Sequence, residues 1–344
     1  MALLKKHKNR SFKGVVIVKK IRFGIVGAGN IAHRFARACL NSEKAELCAV
    51  ASRTMEKANA FGDEFGIPLR FGSYEEMARS TDIDVAYIAV PHALHKPCSL
   101  LMMNHKKHVL CEKPIAVNSK ELEEMIACAN ENSVFLMETM WGRFVDGTKT
   151  LLSLLESGVI GDVLGLRCQL AYRLREAQWD HHVLKNENGG GALLDVGIYG
   201  LMFAREVLGT DVEQLNALCS TYKNTDSHTA IAMRYKNGAI AEISCATMVQ
   251  KPIEGVVFGT KGTISLDEFY APQIIEITTE AGKTVKKTPW HGNGFEEEID
   301  HVCDCIASGL LESPVHSFNE MRFIFAQMDA IRAKLGIVYP QDGR

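Results

Sequence analysis

From about residue 20 to residue 140, short apolar runs alternate with amphipathic stretches of helical length. Ile21-Arg22-Phe23-Gly24-Ile25-Val26 reads as a buried strand. Behind it, Ile31, Phe35 and Cys39 recur at i, i+4 and i+8, the apolar face of a helix laid on a sheet. Leu47–Ala51, Asp84–Val90, His108–Cys111 and Val134–Met137 predict further strands. Runs apolar at nearly every position suit parallel strands covered on both faces. Strands separated by helices predict βαβ units and a doubly wound parallel sheet.

After Phe144 the rhythm changes. A helix is expected over Thr148–Glu156, ended by Ser157-Gly158, and a strand over Val163–Arg173. From Val212 onward, short strands are punctuated by turn signals at Asn224-Thr225-Asp226, Lys236-Asn237-Gly238, Gly259-Thr260-Lys261-Gly262 and Glu280-Ala281-Gly282. Such spacing predicts antiparallel hairpins. The strand at 239–247 puts Ile240 on one face and Ala241, Ile243 and Cys245 on the other, neither strongly polar. One face is expected to pack on helices and the other on a second subunit. The predicted division is a basic extension over 1–19, a nucleotide-binding domain over 20–142, and a substrate-binding α+β domain over 143–344 built on a large, open, mainly antiparallel sheet.

The first strand runs into Gly27-Ala28-Gly29-Asn30-Ile31-Ala32, the GxGxxA form of the dinucleotide fingerprint. Gly27 permits the tight turn, Gly29 lets a pyrophosphate reach the backbone, and Ala32 lets the helix approach the strand. Gly27, Gly29, Asn30 and Ile31 are therefore expected at the cofactor, with the helix N-terminus facing phosphate. The second strand ends at Ser52-Arg53, with Lys57 one turn on, where an NAD-selective site usually carries an acid. A hydroxyl and two cations suit a 2′-phosphate, although Glu56 dilutes the charge, so NADP is expected over NAD.

In a doubly wound sheet, ligands bind outside the carboxyl ends of the strands. That rule draws attention to Pro91, His92 and His95, to Trp141 and Arg143, and above all to Glu112-Lys113-Pro114, which closes the run His108–Cys111. A lysine there, followed by a proline that fixes the backbone, would hold an ammonium against the cofactor. A second cluster is Gly189-Gly190-Gly191-Ala192-Leu193-Leu194-Asp195-Val196-Gly197-Ile198-Tyr199. Three glycines allow the backbone to press on a ligand, and Asp195 and Tyr199 fall at i and i+4 of the helix expected next. His181 and His182 precede the glycines and are candidates to line a substrate pocket.

Composition narrows the function classes. Residues 1–20 carry +7 and no acid, so the remainder of a chain of net charge −2 carries −9. An acidic body gives no reason to expect nucleic acid as a partner. No apolar stretch approaches the roughly twenty residues needed to span a bilayer. Ten scattered cysteines without framework spacing point to reduced thiols in the cytoplasm. Cys98, His105, His108 and Cys111 are close in sequence but separated by a helix end, a turn and a strand, so no metal site is expected.

The GAGNIA turn, the Glu112-Lys113-Pro114 triplet, the GGGALLDVGIY segment and Gly294-Phe295-Glu296-Glu297-Glu298-Ile299 occur together in an order that resembles the Gfo/Idh/MocA family, from about residue 20 onward. Tyr199, where many members have His, is similar to the branch containing dihydrodiol dehydrogenase and glucose–fructose oxidoreductase. The resemblance implies a Rossmann domain, a second domain with an open sheet, and pairing of subunits through that sheet as a homodimer or homotetramer. It also implies hydride transfer between a nicotinamide and a secondary alcohol or carbonyl of a sugar, polyol or cyclic diol. The expected roles are a phenol in Tyr199 that moves the proton, an ammonium in Lys113 that lowers its pKa, and a carboxylate in Asp195 that binds a neighbouring substrate hydroxyl. The rival expectations are a sugar–sugar oxidoreductase that keeps its cofactor bound, and a non-catalytic NADP-binding sensor.

Overall fold

The computed structural model describes residues 20–343; the basic segment 1–19 lies outside the described residues. The first sheet is built from β1 (Ile21–Val26), β2 (Ala45–Ala51), β3 (Leu69–Phe71), β4 (Val85–Ile88), β5 (His108–Cys111) and β6 (Leu136–Glu138), in the order β3-β2-β1-β4-β5-β6. Each neighbouring pair is parallel. The order reverses between β1 and β4, and at such a switch point the chain leaves a crevice above the carboxyl ends. The segments that follow β1, β4 and β5 therefore converge there. β3 is three residues long, too short for any hydrophobic period to reveal it.

The second sheet has eight strands: β7 (Val163–Ala171), β8 (Val212–Tyr222), β9 (Thr225–Tyr235), β10 (Ile240–Ala246), β11 (Glu254–Gly259), β12 (Gly262–Leu266), β13 (Ile274–Thr279) and β14 (Gly282–Lys287). Their order is β14-β13-β12-β11-β7-β10-β9-β8, and β7 with β10 is the one parallel pair. Alternation sets the two faces. Leu166, Cys168, Ile231, Ile243 and Cys245 are buried on the inner face, where the helices Ile198–Leu208 and Phe318–Leu335 pack. Ile240, Leu218 and Phe258 are exposed on the other, interleaved with Arg167, Glu242 and Glu254, so that face is more mixed than the sequence suggested.

One turn is displaced from its expected place. Lys223 and Asn224 both take positive φ (47° and 63°) and make the β8–β9 reversal. Thr225 and Asp226 are buried in β9 instead. Asp226 has partners waiting: it accepts hydrogen bonds from Leu193 N at 2.7 Å and Thr229 Oγ1 at 2.6 Å. An aspartate next to an Asn-Thr pair reads as a turn former; here burial overrides local preference.

The helix Glu296–Ala307 follows the second sheet in the chain yet returns to the first. Ser42 Oγ donates to Asp300 at 2.6 Å, Lys44 pairs with Asp304 at 2.6 Å, and Asn41 donates to Glu296 at 3.0 Å. Its buried side chains share one apolar cluster with Phe23, Phe35 and Tyr87. No helix among the described residues is long and apolar enough to cross a membrane.

Candidate active site

A cleft of about 420 Å³ opens at the switch point, lined by Gly29, Asn30, Ile31, Pro91, His92, His95, Glu112, Lys113, His181, His182 and Asp195. Eleven of the residues singled out from the sequence thus meet at one place, from both halves of the chain.

The nucleotide end follows from β1. Gly27 has φ +100°, and a Cβ there would lie 2.5 Å from Ala89 O, so the turn demands glycine. The helix Asn30–Asn41 begins at Gly29 with no side-chain cap and no acid in its first turn, which leaves its N–H groups and positive dipole end available to an anion. A Cβ on Gly29 would meet nothing within 4 Å. At the end of β2, Ser52 is buried while Arg53 and Lys57 are exposed. Neither cation has a salt-bridge partner among the described residues.

Lys113 stands at the end of β5. Its Nζ donates to the backbone oxygen of Asp195 at 2.5 Å and to Oδ1 at 3.1 Å. It also lies 5.3 Å from the centroid of the Tyr199 ring. Burial alone would lower its pKa, but Asp195, Tyr199 and Glu112 more than offset this and hold the ammonium charged. An ammonium has three N–H donors, so one remains for a ligand. Behind the lysine, Glu112 is buried, accepts from Tyr87 at 2.5 Å, and has its pKa raised by burial.

Asp195 sits in a turn of π-helix, Leu193–Gly197, that opens into the α-helix Ile198–Leu208. The sequence suggested a plain α-helix. π-turns are rare and cluster at functional sites; here one residue offers Lys113 both its backbone and its side-chain oxygen. Burial works against the Asp195 carboxylate, yet Lys113, His92 and Tyr172 bring its pKa down to about 2. Tyr172 donates to Oδ2. Both carboxylate oxygens are thereby engaged within the protein, each with a lone pair left for a further donor.

Tyr199 is half-buried and packs on Tyr270 with centroids 5.0 Å apart. Burial raises its phenol, and the lowering by Lys113 and by the Trp141 indole does not cancel that. The expected net lowering is not found, because burial, with the Glu112 and Asp195 charges, outweighs the lysine. Tyr172 and Tyr270 were missed from the sequence. Tyr172 had a legible cue: it continues the inward register of Leu166, Cys168 and Leu170, so its polar tip had to meet a partner inside.

Four histidines form the far wall. His92 Nδ1 lies 2.9 Å from Gly189 O, and His95 spans Pro114 O and Val90 O at 2.7 Å each. The His95 contacts tie the end of β4 to the loop carrying Lys113. His181 and His182 stack at 4.1 Å, with His182 6.2 Å from His92. Burial lowers His92 to about 3 and His182 to about 4, leaving both neutral near pH 7.

Three expectations need correction. Arg143 does not face the cleft: it is paired with Glu206 at 2.9 Å, lies 3.0 Å from His316 Nδ1, and reaches Glu320 at 3.5 Å. Trp141 is buried between Phe295, stacked at 5.5 Å, and Arg34, whose guanidinium is 4.4 Å from the ring centroid; it supports the site from behind. The glycine triplet presses on protein, not ligand. A Cβ would lie 2.8 Å from Val117 at Gly189, 2.4 Å from Val183 O at Gly190, and 2.2 Å from Asp226 Oδ1 at Gly191.

Comparison with known proteins agrees with this geometry. Residues 21–140 match the oxidoreductase family with an NAD-binding Rossmann fold, and residues 148–265 match the Gfo/Idh/MocA C-terminal domain. The chain is 34% identical to trans-1,2-dihydrobenzene-1,2-diol dehydrogenase of Mus musculus over 340 residues, covering 94% of this chain and 99% of the relative. The Homo sapiens enzyme of the same name is 31% identical over 335 residues, with 94% and 99% covered. Among solved structures, aldose–aldose oxidoreductase from Caulobacter crescentus superposes with a TM-score of 0.83 at 25% identity, covering 95% of this chain and 99% of that one. A 3-ketoreductase from Actinomadura kijaniata in complex with NADP and TDP-benzene shares the fold, at TM-score 0.85 and 23% identity, with 92% and 98% covered. The chain belongs to the Gfo/Idh/MocA family and is an NAD(P)-dependent oxidoreductase.

Proposed function

We propose that this enzyme uses NADP to interconvert a secondary alcohol and a carbonyl on a sugar, polyol or cyclic diol, with Tyr199 moving the proton. The observation that carries the reading is the meeting of Lys113, from the end of β5, with Asp195 in the wall of one cleft and with the Tyr199 ring beside it. In this reading, residues 20–142 hold the nucleotide and residues 143–344 supply the substrate wall. Gly29, Asn30 and Ile31 would hold the pyrophosphate, and Ser52, Arg53 and Lys57 the 2′-phosphate. Bound nicotinamide supplies or accepts the hydride.

The protein's own part is proton and charge management. Tyr199, kept neutral by burial, donates its proton to the oxygen of a carbonyl undergoing reduction. The remaining N–H of Lys113 polarises that oxygen and stabilises the phenolate left behind. His181 and His182 border the substrate as hydrogen-bonding groups, His182 in its neutral form. The exposed Ile240, Leu218 and Phe258 support a homodimer or homotetramer joined through the outer face of the second sheet. Ten unpaired cysteines, nine of them buried, suit a reducing cytoplasm.

The test is a screen of purified protein with NADP and NAD against aldoses, polyols and trans-1,2-diols, following nicotinamide absorbance. NADP-linked turnover abolished by Tyr199→Phe is expected. Tight NADP binding with no turnover on any of these compounds would instead favour a sensor.

A further inference from the structure

Lys113 is not held directly by the sheet that carries it. Its ammonium is held by Asp195, once at the fixed backbone oxygen and once at Oδ1 of a carboxylate that turns readily about its last torsion. One contact to Lys113 leaves that rotation free; a second, from a fixed donor on the other oxygen, stops it. Tyr172 makes the second contact, its hydroxyl donating to Asp195 Oδ2. Its backbone is fixed in turn: Tyr172 N donates to Ala246 O at 3.0 Å, and the next residue bridges to Met248. We infer that Tyr172 is a positioning residue, a strut from the second sheet that locks Asp195 and through it sets the place of Lys113 beside Tyr199. The inference rests on the reading that Lys113 and Tyr199 are the catalytic pair.

The strut is suited to its place. Burial and the neighbouring Asp195 charge both push the Tyr172 phenol far above its ordinary value, so it stays protonated and remains a donor across the working pH range. The groups facing Lys113 are Asp195, Tyr199 and Glu112, with His92, His95 and His182 also near. Those facing Asp195 are Lys113, His92 and Tyr172, with His182 also near. Without the Tyr172 hydroxyl, the carboxylate is free to turn, and the lysine loses part of what raises its pKa. A raised lysine keeps its charge below its folded pKa and loses it as pH rises. A smaller rise therefore moves the alkaline loss of reductive turnover to lower pH.

Tyr172→Phe keeps the ring and removes the hydroxyl. Reductive turnover is expected to fall about tenfold to a hundredfold, the scale of a misplaced catalytic group, with the KM for NADPH within about threefold. Any alkaline limb set by Lys113 should move to lower pH. In an Asp195→Asn background the same change should cost less than about twofold, since groups acting in series are non-additive. A substrate-free readout is trace acetylation of the lysines, read by mass spectrometry: Lys113 should label at least about threefold faster in Tyr172→Phe, with the other lysines unchanged.

Unchanged Lys113 labelling, or turnover within about twofold of wild type, would overturn the inference. So would faster labelling of several lysines alike, which would mean a merely structural role. Near-normal turnover in Tyr199→Phe would remove the functional reading itself, while the labelling result would still decide whether Tyr172 positions Lys113.

Discussion

Gly27-Ala28-Gly29 reaches the cleft at Gly29, Gly189-Gly190-Gly191 lies behind the histidine wall, and the space each leaves is used differently. Beyond the missing Cβ of Gly29 there is nothing within 4 Å. Beyond those of Gly190 and Gly191 lie Val183 O and Asp226 Oδ1, at 2.4 and 2.2 Å. In the first run Gly27 abuts Ala89 O, but Gly29 leaves room for a ligand, as expected where a pyrophosphate approaches backbone. The second leaves room for the protein itself, letting the histidine loop and β9 close around the start of the π-turn. In sequence the two runs look alike. What distinguishes them is the partner that fills the gap, and only the tertiary structure supplies that.

The largest expected effect falls on the pair that the two regions deliver. Lys113→Met keeps the length and removes the charge, and general acid–base contributions of about 10² to 10⁴ set the expected loss of turnover. A steady-state assay with NADP(H) measures it. A second consequence comes from the buried phenol. With the pKa of Tyr199 raised, reduction uses the form that predominates at neutral pH, whereas oxidation needs the phenolate. Oxidative turnover should therefore rise with pH by up to about tenfold per unit above neutrality, while reductive turnover stays flat until the alkaline range. A pH profile of both directions checks this, and an oxidative rate independent of pH between 7 and about 9 would contradict it.

The two glycine runs can be tested against each other. Gly191 has φ +123°, so Gly191→Ala adds backbone strain to a close contact and should cost about 3 kcal/mol of stability by denaturant unfolding. Arg53→Ala should weaken NADP by about tenfold to a hundredfold, the value of hydrogen bonds to a charged group, and leave NAD almost unchanged in titration calorimetry. Gly29, extended at φ −94° and ψ −177°, accepts a methyl without strain. Gly29→Ala should leave stability unchanged or raise it by up to about 1 kcal/mol, yet weaken NADP by about tenfold. If Gly29→Ala unfolds the protein, or Gly191→Ala is harmless, the contrast between the runs fails.

How much was legible follows the same division. Parallel strands buried on both faces announce themselves as apolar runs, and the strand-end rule then locates Lys113, Pro91 and His92 without any knowledge of loops. The hairpins were readable from alternation and from Asn237-Gly238. Two errors came from local preference meeting burial: Asp226 joined a strand, and the helix at Asp195 widened into a π-turn. Arg143 shows a limit of the strand-end rule, which places a residue near the crevice without saying which way its side chain turns. Glu206, Glu320 and His316, from distant parts of the chain, decided that. Tyr172 was readable in principle from its inward register, but its partner lies 23 residues away on a π-turn that no periodicity reveals.

The central claim is that Tyr199 transfers the proton in a cleft assembled from both halves of the chain. Its most direct test is the single-turnover rate of NADPH oxidation with a carbonyl substrate, wild type against Tyr199→Phe, at saturating cofactor. The account predicts a rate lower by about 10² to 10⁴ with NADPH affinity within about threefold. A Tyr199→Phe rate within about threefold of wild type would contradict it.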